Sequence, residues 1–217
     1  MFEIIYRTLF SKSTYNISVL YNRLRYAQII MEEMRDEERE YLENAVHVIA
    51  QHEINLAEED VLDLIQIKKR WYLDRGLESV NECGRVSKDF YNAQGWIEYP
   101  MWKRVYDLGY VTQLIDVLDL TRELRELDNK LFDLKGTSTI GNLYFTKGTT
   151  NKTPSYFPHT HDYHVIVKPL YGAALWTVGG VTTELSPPDV LMVPSGVEHA
   201  VIKCTEPRLS LTLNLSY

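Results

Sequence analysis

Two stretches in the last third of the chain decide how its fold is interpreted. Residues 159–176 read HTHDYHVIVKPLYGAALW, and residues 186–199 read SPPDVLMVPSGVEH. Each contains a short apolar run bounded by Gly or Pro, which is typical of a β-strand. Histidines stand at the start of the first stretch, His159 and His161, and at the end of the second, His199. The two stretches therefore predict short strands that bring three imidazoles close together.

The spacing of the histidines predicts a metal site. His159 and His161 are two residues apart, so on a strand both rings point to the same side. The Pro and Gly before His199 predict a turn that directs this ring to the same point. Three neutral imidazoles suit iron, copper, zinc or nickel. We predict that His159, His161 and His199 hold one metal ion. His164 has the other strand parity and is expected outside the β-barrel that these strands would form.

The chain divides into two regions with different periodicity. Residues 1–136 are interpreted as helical from stripes of apolar residues at three- and four-residue steps. Residues 137–217 contain short runs rich in Val, Ile, Leu, Tyr and Thr, which predict a sandwich or barrel. The predicted helices are Ile17–Ile30, Tyr41–Ile49, Asn55–Lys68, Pro100–Gly109 and Val111–Leu131, with a stop at Gly136. The predicted strands are Ile140–Phe145, Tyr163–Val167, Ala174–Val178, Val181–Leu185, Val190–Val193, Ala200–Lys203 and Leu209–Leu215.

Composition is that of an ordinary globular protein. The 217 residues are 45% hydrophobic and 24% charged, with a net charge of −7. The negative charge argues against a nucleic-acid backbone as partner, and no run approaches the roughly 18–20 apolar residues that span a bilayer. We see no signal peptide and expect a cytoplasmic protein in which Cys83 and Cys204 are free thiols. An exposed helical seam would allow a homodimer.

The barrel region resembles the JmjC-like cupins. Residues 159–176 are similar to their metal strand, in which an H-x-D pair precedes an apolar strand, with Gly172 and Trp176 in the expected places. Residues 141–146 resemble the first barrel strand, residues 186–199 the stretch that ends in the second metal histidine, and residues 211–217 the final strand with Asn214. The resemblance implies an α+β fold with a helical region packed on a double-stranded β-helix of the cupin or jelly-roll type. It also implies an iron(II) oxygenase that uses 2-oxoglutarate and O2 on a small molecule or peptide.

The site departs from the family pattern at two positions. His161 stands in place of the acidic ligand, and Ala174 stands where the family commonly has a lysine for the distal carboxylate of 2-oxoglutarate. Arg208 and Ser210 resemble an R-x-S element that other 2-oxoglutarate oxygenases place after the second metal histidine. A guanidinium can bind a carboxylate through two hydrogen bonds, and Tyr144 is a further candidate for that carboxylate.

Two alternatives remain beside the 2-oxoglutarate oxygenase. A three-histidine cupin dioxygenase would bind its substrate directly on the metal, and a non-catalytic cupin would only bind or sense a ligand. In the first interpretation Asn214 orients a ligand near the metal. Lys147 and Lys168 are expected to be solvent residues.

Overall fold

A computed structural model describes residues 34–67, 76–80, 86–137, 139–148, 156–204 and 206–216. The predicted helix Ile17–Ile30 and Cys83 lie outside these residues. Cys204 is buried, and its Sγ donates to the carbonyl oxygen of Glu206 at 3.1 Å. Over the described ranges, no helix is long and apolar enough to cross a membrane.

Helices and short strands alternate before Gly136. The helices are α1 (Asp36–Gln51), α2 (Glu58–Ile67), α3 (Tyr99–Asp107) and α4 (Arg122–Lys135), and the strands are β1 (Leu77–Val80), β2 (Val86–Ser87) and β3 (Val111–Leu114). The prediction that this region is helical throughout is therefore wrong. Val111–Leu114 is a strand whose four residues are all buried. Because both of its faces are covered, the side-chain pattern shows no alternation of apolar and polar residues. The division into two regions at Gly136 stays a prediction.

The strands after Gly136 form where the sequence predicts them. They are β4 (Ile140–Thr146), β5 (His164–Tyr171), β6 (Ala174–Val178), β7 (Val181–Leu185), β8 (Leu191–Val193), β9 (His199–Lys203) and β10 (Arg208–Leu215). β6 and β7 are predicted to the residue, and the other bounds differ by a few residues. Gly179 and Gly180 form the predicted hairpin turn, both with positive φ, a conformation that glycine adopts without steric cost.

Two antiparallel sheets result. The larger has the order β2-β1-β3-β4-β10-β5-β8, and the smaller has the order β7-β6-β9. The arrangement is consistent with a double-stranded β-helix of the cupin type. β1, β2 and β3 extend the larger sheet, so this sheet contains strands from both halves of the sequence. The small sheet contributes Trp176 and Val178 to a second apolar cluster, separate from the main core.

The helices bury an apolar face against the larger sheet. Tyr41, Leu42, Ala45 and Ile49 of α1 are buried in the main core, which also receives three leucines of α4. Contrary to the prediction, Lys168 of β5 is not a solvent residue. Its Nζ donates to the carbonyl oxygens of Ile49 (2.6 Å) and His52 (2.7 Å), so it satisfies acceptors at the end of α1.

The ends of the helices show which predicted helix starts and stops are confirmed. Thr121 accepts a hydrogen bond from the backbone N–H of Leu124, and Gly136 ends α4 in the left-handed conformation, the predicted stop. The predicted start of α2 at Asn55 is wrong. This helix begins at Glu58, and the N–H of Ala57 is satisfied by the carboxylate of Asp60 at 2.8 Å.

Candidate metal centre

Three histidine side chains converge between the two sheets. His159 forms an isolated antiparallel bridge with His199, with N–O distances of 3.2 and 3.0 Å. His161 follows two residues later, and one potential ligand atom from each of the three lies within 4.8 Å of the others. The centroids of the His159 and His161 rings are 4.8 Å apart, and those of His159 and His199 are 4.6 Å apart. The predicted convergence is confirmed.

Backbone carbonyls orient two of the rings. Nδ1 of His159 lies 2.7 Å from the carbonyl oxygen of Phe157, and Nδ1 of His199 lies 3.0 Å from that of Val197. A carbonyl only accepts, so each Nδ1 carries the proton and each Nε2 keeps its lone pair. Metal-binding histidines are commonly held by a bond of this kind on the other ring nitrogen.

The turn before His199 fixes the third ring relative to the others. The N–H of Gly196, at a φ of +77°, donates to the carbonyl oxygen of His161 at 2.7 Å. The ring of His161 stacks on Tyr163, with centroids 4.5 Å apart and an interplanar angle of 12°. The turn thus joins His161, which lies just before β5, to the start of β9, as the sequence predicts.

Among the described residues, the side chains that could hold a metal ion here are the three imidazoles. Burial lowers the pKa of His161 to about 4, with smaller contributions from His159 and His199. Burial also lowers the pKa of His199. Rings with such pKa values are neutral near pH 7 and offer lone pairs rather than positive charge. The donor set therefore fits a divalent transition metal, and three protein ligands leave coordination positions open.

His164 has a structural position outside the cluster. It is buried, and its Nδ1 accepts from the N–H of Ser195 at 3.1 Å, so its Nε2 donates to Glu38 of α1 at 2.9 Å. The ring does not line the cavity beside the three histidines, as its strand parity predicts. It instead connects α1 to the turn that precedes His199.

A cavity of about 270 Å³ adjoins the three histidines. Residues of both sheets line it, and the polar side chains on its walls include Gln113, Asn142, Tyr144, Tyr156, Arg208 and Asn214. Ligand pockets commonly measure about 300–1,000 Å³, so this cavity fits a small ligand. Tyr144, Arg208 and Asn214 are the predicted site residues that line it. Ser210 is buried on β10 without lining the cavity, and Ala174 and Asp162 do not line it either.

Arg208 is a buried cation with free donors. Its side chain is 3% exposed, and among the described residues its Nε and Nη1 have no hydrogen-bond partner. Burial lowers the pKa of this guanidinium, which the nearby Cys204 and Tyr144 offset only in part. An unpaired buried charge is costly, so the site favours an anion from outside the chain.

Close packing places the backbone of Arg208. Gly172 lies so near that a Cβ on it would be 2.1 Å from the carbonyl oxygen of Pro207 and 2.8 Å from Cα of Arg208. Only glycine fits this approach. The position that the family resemblance singled out at Gly172 therefore has a structural reason that bears directly on Arg208.

Sequence reasoning missed a tyrosine on the cavity wall. The hydroxyl of Tyr156 forms short hydrogen bonds with Glu78 and Gln113. Burial raises the pKa of Tyr156, and Tyr144 and Glu78 raise it further, so the phenol stays protonated. Gln113 lies on β3, a segment that the sequence predicts as helix. The sequence therefore gives no sign that this side chain lines the cavity. Asn142 carried a usable signal, because it has the same parity as Tyr144 on β4.

Comparison with known proteins gives one family match. Residues 147–212 match the model of the AraC-like ligand binding domain. This segment contains all three histidines and Arg208. No curated protein sequence shows significant similarity to the chain.

Several solved structures are similar to part of the chain. The DMSP lyase DddQ from Ruegeria pomeroyi DSS-3 has 24% identity and a TM-score of 0.32 over 36% of this chain and 38% of its own. A cupin superfamily protein from Desulfitobacterium hafniense DCB-2 has 24% identity and a TM-score of 0.32 over 36% of this chain and 68% of its own. An RmlC-like cupin from Shewanella frigidimarina NCIMB 400 has 13% identity and a TM-score of 0.34 over 49% and 77%. The cupin-type domain and the JmjC-like assignment both stay predictions.

Proposed function

We propose that this chain is a metal-dependent cupin enzyme that binds a small carboxylate against the metal, with the chemistry of a non-haem iron(II) oxygenase. The observation that carries the proposal is the buried guanidinium of Arg208, a residue that lines the same cavity as the three histidines and whose Nε and Nη1 have no hydrogen-bond partner among the described residues. A metal site alone is compatible with many functions. A metal site with a buried anion site in one small cavity indicates a ligand that bridges the two.

The charge of the site favours an anionic ligand. His159, His161 and His199 are neutral ligands, so a divalent ion on them keeps its full charge, unlike an ion bound by a carboxylate. Arg208 adds a further positive charge at the cavity wall. 2-Oxoglutarate carries two carboxylates and is our first candidate, with one end on the metal and the other on Arg208.

The chain's own residues would hold and shield such a ligand. Arg208 would donate to a carboxylate, and Asn214 and Tyr144 would orient it from β10 and β4. The buried tyrosines would exclude water, which strengthens every charge interaction in the cavity. Iron(II) in such a site supplies activation of O2. We propose hydroxylation of a small molecule or peptide as the reaction class.

Two other candidates have specific support. A three-histidine dioxygenase is favoured by His161, because substrate could then chelate the metal without 2-oxoglutarate. A domain that binds a ligand without turnover is favoured by the match of residues 147–212 to an AraC-like ligand binding domain.

Metal analysis tests the site. We expect one iron or zinc per chain, lost in His159→Ala, His161→Ala and His199→Ala. His164→Ala is the matched control, because that ring is buried nearby but faces Glu38, and it should keep the metal. If His164→Ala alone emptied the site, the ligand assignment would be wrong.

A titration with 2-oxoglutarate tests the ligand. Under argon, the iron(II) protein should develop a visible charge-transfer band as 2-oxoglutarate binds, and O2 should then be consumed with release of succinate. Arg208→Met should weaken binding by roughly ten- to a hundredfold, since a charge-assisted hydrogen bond contributes about 1.5–3 kcal/mol. Arg104→Met is the control, because this arginine is exposed. Absence of binding, together with O2 uptake on other substrates, would favour the three-histidine dioxygenase, and absence of any O2 uptake would favour the binding domain.

A further inference from the structure

A second buried donor without a partner in the described ranges belongs to a residue that lines the cavity from the small sheet. Trp176 lies on β6 of the small sheet, is 8% exposed and lines the cavity. Its indole Nε1 is buried and has no hydrogen-bond partner within the described part of the chain. An indole N–H can only donate, and a buried donor without an acceptor costs about 1–3 kcal/mol.

The other large buried tryptophan shows what a satisfied indole looks like in this protein. Nε1 of Trp102 donates to Oγ1 of Thr112 at 3.2 Å, and that hydroxyl also lies 3.2 Å from Oγ of Ser79. Trp102 is thus part of an internal network, whereas Trp176 and Arg208, which both line the cavity, have donors without a partner among the described residues.

The two free donors belong to different sheets. Arg208 is on β10 of the larger sheet and Trp176 on β6 of the smaller sheet, so residues with unpartnered donors border the cavity from both sheets. Neither side chain can accept a hydrogen bond, and amides such as Asn214 can adapt to either role. Of the described residues that line the cavity, none is acidic.

We propose that the indole N–H of Trp176 donates a hydrogen bond to the bound ligand, opposite Arg208, and that the ligand is a short dianion with acceptors on both sides, such as a 2-oxo- or hydroxy-dicarboxylate. This inference rests on the proposed function, since it takes the cavity as the ligand site. Trp176 is therefore a specificity-determining residue. It distinguishes ligands that present an acceptor to the small sheet from those that present a methylene.

The test compares Trp176→Phe with Trp102→Phe in the zinc-loaded full chain. Phenylalanine keeps most of the apolar contact and removes the N–H. Trp176→Phe removes a donor that has no partner in the free protein, so its melting temperature should equal or exceed that of the parent. Its affinity for 2-oxoglutarate or malate, measured by calorimetry, should fall roughly tenfold, the factor for one hydrogen bond to a charged acceptor.

Trp102→Phe should show the reverse result, a lower melting temperature with unchanged affinity. In the parent, the indole N–H resonance of Trp176 should move on addition of 2-oxoglutarate, and that of Trp102 should not. The inference is overturned if Trp176→Phe binds both dicarboxylates as the parent does, or if neither dicarboxylate binds the parent. Metal content and O2 uptake report on the proposed function separately, because neither depends on the Trp176 N–H.

Discussion

Replacing Gly172 with alanine should destabilise the protein and disturb the anion site together. Gly172 has a φ of +71°, and a Cβ there would lie 2.1 Å from the carbonyl oxygen of Pro207 and 2.8 Å from Cα of Arg208. These are backbone atoms, so they cannot swing away as the end of a flexible side chain can. β10 would have to move at its first residue, which carries the guanidinium.

The expected loss has two parts. The left-handed conformation costs alanine about 1–2 kcal/mol, which is offset by about 0.4–1 kcal/mol because alanine also restricts the unfolded chain. Forcing a methyl group into filled space adds about 1–3 kcal/mol. We expect Gly172→Ala to lower the free energy of unfolding by about 2–4 kcal/mol.

Gly180→Ala is the matched control. Gly180 has a φ of +74°, and no atom lies within 4 Å of the point that a Cβ on it would occupy, so it carries the conformational cost without the clash. Its loss should be about 1 kcal/mol or less. Urea unfolding of both variants gives the two free energies, and titration with 2-oxoglutarate should show weaker binding for Gly172→Ala alone. Equal losses in the two variants would refute the close approach of Gly172 to β10.

Four further predictions concern positions away from the cavity. His164→Gln should keep one metal per chain and lower the unfolding free energy by about 1–3 kcal/mol, because Glu38 loses a buried partner; metal analysis and urea unfolding measure the two effects. Lys168→Met should cost about 1–2 kcal/mol in the same unfolding assay, since carbonyls at the end of α1 lose their donor. Thr121→Ala should cost about 1 kcal/mol as the loss of an N-cap. Asn55→Ala should have no effect on stability, and a loss there would support the predicted helix start at Asn55.

The barrel strands were predictable because each one is short, apolar on at least one face and bounded by Gly or Pro. The region before Gly136 was harder for a physical reason. Residues 111–120 read VTQLIDVLDL, which fits a helical stripe as well as a strand, and short apolar runs cannot be assigned by periodicity alone. In the structure β3 is buried on both faces between β1 and β4. That contact is tertiary, so no local pattern signals it.

The convergence of the three histidines was predictable for a different reason. The two-residue spacing of His159 and His161 predicts that both rings point to one side of a strand. The Pro and Gly before His199 predict the turn there. The partners of Lys168 and His164 were not predictable, because both bond to α1 more than a hundred positions away in the sequence. A charged side chain on a strand has no local sign that it will meet the end of a distant helix.

The residues that line the cavity come from two parts of the sequence, which have separate roles. Residues 147–212, which match the AraC-like ligand binding domain, contain the three histidines, Trp176 and Arg208, and so supply the metal ligands and both free donors. Gln113 and Tyr144 line the same cavity from β3 and β4, outside the matched segment. Neither side chain belongs to the three-histidine cluster. We therefore expect substitutions at Gln113 to alter which ligand binds while metal content stays the same, and Gln113→Leu with metal analysis and a dicarboxylate titration measures the two separately. Loss of metal in that variant would show that β3 supports the metal centre itself.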